Sequence, residues 1–183
     1  MYKFSGVVVL FAFASISMAS NTQPSPYSGQ EQRDIKALSP EEVQNYLLGK
    51  GAGLARAAEL NHYPGPKHVL ELADELQLTE VQKSRTKAIF DAMQKKAIHQ
   101  GEALIEKEQE LDRQFVAGVV TTDDLRSTLK QIGELQAEVR ISHLQAHIEQ
   151  QAILTQAQIA KYDELRGYTS QGASEHGDHS HKH

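Results

Sequence analysis

The 183-residue chain contains no cysteine. That excludes disulfides, thiolate metal sites and a lipid-modified cysteine as a membrane anchor, so packing alone must hold any fold together. Aromatic residues make up only 6%, which predicts a thin core. No basic run occurs, and the formal net charge is −5, which argues against nucleic acid and anionic membrane surfaces as partners. The longest apolar stretch, Gly6 to Ile16, is shorter than the roughly 20 residues of a transmembrane span. Catalytic signatures are missing too. There is no Gly-x-Ser-x-Gly elbow, and Gly49-Lys50-Gly51-Ala52-Gly53 lacks the Gly-Lys-Ser/Thr ending of a phosphate loop. The glutamates are expected on exposed helical faces, where nothing perturbs their titration. The expectation is a non-enzyme without an organic cofactor.

What is present begins with an export signal. Lys3 is followed by the apolar Gly6–Ile16 stretch and by Ser17-Met18-Ala19, small residues where signal peptidase inspects the chain. Residues 1–19 are therefore expected to be a signal peptide and the mature protein to be soluble in the periplasm. Residues 20–38 are polar, carry Pro24 and Pro26, and read as a disordered arm. Residues 39–168 carry the helical periodicity, and 169–183 form a His-rich tail expected to be flexible.

Within 39–168, Ser39-Pro40-Glu41-Glu42 is an N-cap serine followed by proline at N1 and glutamate at N3. That helix is expected to end near Gly49, with a short one over Leu54 to Leu60. Tyr63-Pro64-Gly65-Pro66 is a break, after which Pro66 starts a helix bearing Val69, Leu70, Leu72, Ala73 and Leu76. No proline interrupts Glu80 to about Val116, and Gly101 is the one weak point, so a single long helix is predicted. Its stripe is Ile89, Met93, Ala97, Leu104, Leu111 and Phe115. Gly118 to Thr121 makes the turn, and Thr122 with Asp123 and Asp124 caps a second long helix running to about Gln151. There the stripe is Leu125, Leu129, Ile132, Leu135 and Val139. The fold class is all-α, a long antiparallel helical hairpin with short flanking helices. So thin a core predicts a homodimer.

Two short sequences frame the long helices: Leu78-Thr79-Glu80-Val81-Gln82 and Leu154-Thr155-Gln156-Ala157-Gln158. Each puts threonine at an N-cap and glutamine at N3, a capping box. The repeated Leu-Thr-x-x-Gln, carried by Leu78, Thr79, Gln82, Leu154, Thr155 and Gln158, resembles the signature of the Spy/CpxP family of periplasmic stress proteins. Zinc-resistance-associated and heavy-metal-sensor-like proteins belong to that family. The resemblance covers roughly Ser39 to Tyr168 and implies a curved, cradle-like dimer that binds unfolded periplasmic proteins without ATP. Chaperone members present a rather positive concave face. Between Glu80 and Gln151 this chain has ten Lys/Arg against twelve Asp/Glu, which departs from that pattern.

Both long helices also carry apolar residues off their main stripe: Ile98, Ile105 and Val116 on the first, Ile141, Leu144 and Ile148 on the second. A helix apolar on two sides buries both or exposes one for a purpose. The short helices or a dimer mate are one cover for Ile98, Ile105, Ile141, Leu144 and Ile148. Unfolded client protein is the other. The charged residues around them read first as solvated helix faces joined by i,i+4 pairs.

Among the nine histidines two groups stand out. The tail holds His176, His179, His181 and His183 among Glu175, Asp178, glycine and serine, a donor set suited to Zn²⁺, Cu²⁺ or Ni²⁺. His143 and His147 lie one turn apart on the core phase of their helix. They read as partly buried, hydrogen-bonded residues, or alternatively as a bidentate metal edge. Leu144 between them excludes a zincin motif, which needs glutamate there. The sequence thus points to an ATP-independent periplasmic chaperone that also binds transition metal. The alternative is a metal buffer or sensor, or a modulator of an envelope sensor kinase, without general chaperone activity.

Overall fold

The computed structural model describes residues 23–168. The chain divides into two units, Met1–Gln32 and Arg33–His183. The described part of the first is a succession of turns, with Ser28 N bonded to Ser25 O at 2.9 Å and Gln30 N to Tyr27 O at 3.0 Å.

The second unit is helical throughout, and no strand occurs among the described residues. Its elements are α1 (Pro40–Leu47), α2 (Arg56–Glu59), α3 (Pro66–Glu71), α4 (Glu80–Val116), α5 (Thr122–Gln151) and α6 (Gln156–Arg166). The capping boxes set three of the starts. Ser39, Thr79 and Thr155 each accept from the N3 amide, while Glu42, Gln82 and Gln158 reach back to the N-cap amide. The cap of α5 is Thr121 rather than Thr122, since its hydroxyl accepts from Asp124 N. Gly118 (φ 65°) makes the turn before it, and Gly167 (φ 73°) closes α6 in the left-handed region. The two short helices are briefer than periodicity suggested. The chain from Leu72 to Leu78 is turned rather than helical, yet Leu76 and Leu78 are buried.

α4 and α5 pack along one another in opposite directions. Gln82 at the start of α4 meets Ile153 just past α5, and Gln100 faces Ser142 at 2.7 Å. Met93, Ala97 and Leu104 of α4 and Ile132, Val139 and Ala146 of α5 are buried. Phe115 and Leu129, expected in this stripe, are exposed. They lie towards the turn that joins α4 and α5.

Three apolar clusters form the core. Val69, Leu76, Leu78, Leu154, Ile159 and Tyr162 make the first; Met93, Ala97 and Ala146 the second; Ile35, Leu38 and Ile105 the third. The third corrects the expected boundary. Ile35 and Leu38 fall within the segment read as a disordered arm, yet they are buried against Ile105, and Lys36 pairs with Asp112 at 3.0 Å. Their apolar area outweighs the cost of ordering a short polar segment. Gly101, which looked like a flaw in α4, is buried for a reason. A Cβ there would lie 2.8 Å from Tyr46 O, so its absence lets α1 rest on α4 backbone to backbone.

Candidate functional site

The two Leu-Thr-x-x-Gln motifs meet. Gln82 Nε2 donates to Gln158 Oε1 at 2.8 Å, and Gln158 Nε2 donates to Gln82 Oε1 at 3.1 Å. The same amides also donate to Ile153 O (3.1 Å) and Leu76 O (3.2 Å). Each glutamine therefore caps its own helix and clasps the chain entering the other. Leu78 and Leu154 both belong to the first core cluster. The motif holds the starts of α4 and α6 together.

The apolar residues off the main stripes divide sharply between the helices. On α4, Ile105 lies under Ile35 and Leu38, and Ile98 is half-buried beside Gly49. These two are removed from any exposed binding surface, because residues 33–49 fold over them. On α5 nothing in the described chain does the same. Ile141 is 48% and Ile148 60% exposed, with Leu144 half-buried between them. Ile141 and Ile148 are two turns apart, so they share one face. Val116, beside the turn, is also exposed.

His143 and His147 occupy the opposite circumstance. His143 is 4% exposed. Burial lowers its pKa below 6.5, and the neighbouring His147 adds to the effect. A depressed histidine contributes stability above its ordinary value, which is lost as pH falls through the folded value. Its Nε2 has no hydrogen-bond partner among the described residues. His147 Nδ1 lies 2.7 Å from Tyr63 O, and since a carbonyl only accepts, that nitrogen carries the proton. Gly65 permits this fit, because a Cβ there would stand 2.9 Å from His147 Cε1.

Glu59 of α2 joins them, with Oε2 3.7 Å from His147 Nδ1 and otherwise unpartnered. Glu59 Oε1 accepts from Tyr162 (2.6 Å), Tyr168 (3.1 Å) and Arg166 Nε (3.4 Å). These ties anchor α2 to α6, and burial with the Glu59 hydrogen bond raises the Tyr162 pKa. His62 pairs with Asp163 at 2.8 Å.

As metal donors, His143 and His147 offer an edge and not a centre. Among the described residues no group of three or more histidine, aspartate or glutamate side chains is gathered to hold an ion. His99 is exposed on α4 and joins no such group. The tail histidines, His176, His179, His181 and His183, lie outside the described residues, as does the expected signal peptide. No helix among the described residues is long and apolar enough to cross a membrane. Comparison with protein-family models, curated proteins and solved structures finds no match to this chain.

Sequence reasoning missed the glutamine clasp and the Glu59 cluster. The first had a signal in the duplicated motif. The second had none, since Glu59, His147 and Tyr162 are far apart in the chain.

Proposed function

We propose that this chain is an exported, Spy/CpxP-like stress protein that shields unfolded polypeptides without ATP. Its client surface is the outer face of α5, and the observation that carries the reading is the exposure of Ile141 and Ile148. A holdase without an energy source needs weak, numerous apolar contacts that release on their own, and not a deep specific pocket. Arg140, Gln145 and Glu149 are exposed on the same helix and supply a polar rim. A homodimer would add a second such face, and modulation of an envelope sensor kinase would use the same periplasmic location.

Transition-metal binding is the second part of the proposal. The tail residues His176, His179, His181 and His183 furnish imidazoles that suit Zn²⁺, Cu²⁺ or Ni²⁺, and the unpartnered Nε2 of His143 favours a contribution from the His143–His147 edge. Metal buffering or sensing as the primary role is the alternative.

Light scattering of an aggregating client separates the two. Ile141→Ser/Ile148→Ser is expected to lose most of the suppression while retaining the wild-type melt, because both side chains are exposed. A chain truncated after Tyr168 is expected to keep suppression and to lose uptake of Zn²⁺ or Cu²⁺ by calorimetry. Full suppression by the double variant contradicts the client surface, and undiminished metal uptake by the truncated chain contradicts the tail.

A further inference from the structure

A cleft of about 780 Å³ opens between the Gly49–Gly53 run, the start of α3 and the α4–α5 pair. Its apolar lining comprises Leu48, Leu60, Phe90, Met93 and Ala146. Its charges are one-sided. Lys50, Arg56, Lys67 and Arg166 line it, against the single acid Glu59, whose Oε1 is already engaged by Tyr162, Tyr168 and Arg166. Lys67 and Arg166 each have a carboxylate neighbour, Glu71 at 3.5 Å and Glu59 at 3.4 Å. Lys50 and Arg56 have none among the described residues. A second hollow of about 550 Å³ shares Arg56 and Leu60 with the first and brings in Arg140, which also lacks a carboxylate partner there. The backbone N–H groups of Gly51, Ala52 and Gly53 find no acceptor among the described residues either. In a chain of net charge −5, this is a local reversal of sign beside an apolar wall.

We propose that the cleft binds a single-chain anionic amphiphile, a medium-chain fatty-acid carboxylate. The acyl chain lies against Leu48, Leu60, Phe90 and Met93, where burial of methylene groups drives binding. The carboxylate takes charge-assisted hydrogen bonds from Arg56 and Lys50, in which a planar guanidinium matches both carboxylate oxygens. A ligand of about ten carbons falls within what a cleft of this size encloses. The site meets the client surface on α5 only through Arg140 of the adjoining hollow and stands or falls without it.

Calorimetry of the full chain in chelator, with decanoate below its micelle concentration, tests the assignment, with acetate as head group alone and protonated decylamine as the same chain bearing the opposite charge. Decanoate is expected to bind about tenfold or more tightly than either. Lys50→Gln/Arg56→Gln should lower decanoate affinity about tenfold, because both side chains are exposed and their loss leaves the fold intact by circular dichroism. Leu60→Asp, also at an exposed position, should weaken it comparably, while Ile141→Ser/Ile148→Ser should leave it unchanged. Equal binding of decylamine, equal binding of acetate, or undiminished affinity in the Lys50/Arg56 variant would each overturn the proposal.

Discussion

At the residue scale, the most instructive side chains are buried polar groups that the helical pattern does not require. Glu108 sits inside α4 with burial pushing its carboxyl above 4.5. The sign follows from linkage: stability is complete below the ordinary carboxylate value and falls as pH rises through the folded value. Glu108→Gln is therefore expected to raise the melting temperature at pH 7 and to make no difference near pH 4. An unchanged melt at pH 7 would show that ionised Glu108 is solvated after all. His147 belongs to the same class, a polar group whose one proton is committed to Tyr63 O. Its core phase was legible, because 3.6-residue periodicity is local. Its partners were not, since Tyr63 and Glu59 lie more than eighty positions upstream.

At the element scale, starts and ends were legible where capping chemistry sets them. Ser39, Thr79 and Thr155 each cap a helix with the glutamate or glutamine three residues on, a signal contained in four residues. Thr121 and Thr122 compete for one cap, and the sequence alone does not rank two adjacent threonines. Ile35 and Leu38 were unreadable because a short apolar pair has no period, and only Ile105 gives them somewhere to go. The clasp between Gln82 and Gln158 adds a long-range bond to two local ones. Each single change to alanine is expected to cost about 1 kcal/mol or more through the hydrogen bonds lost. The double variant should show a coupling of about 0.5–3 kcal/mol in chemical denaturation, since the two amides bond to one another. Strict additivity would mean that the glutamines act only within their own helices.

At the scale of the whole helical unit, the decisive feature is asymmetry. Residues 33–49 cover Ile98 and Ile105 on the second apolar side of α4 and leave Ile141 and Ile148 of α5 exposed. Sequence reasoning found both stripes but treated them alike, because nothing local distinguishes Ile105 from Ile148. Composition and periodicity were enough for the all-helical class and the long packed pair, whereas the cleft depends on five separate stretches of chain converging. The functional account rests on Ile141 and Ile148 meeting unfolded protein. A photo-reactive side chain placed at position 148, and another at exposed position 84 on α4, tests that most directly in the presence of an unfolding client. Client adducts forming from position 148 and scarcely from position 84 are the predicted result. Equal yields from both, or adducts from neither, would contradict it.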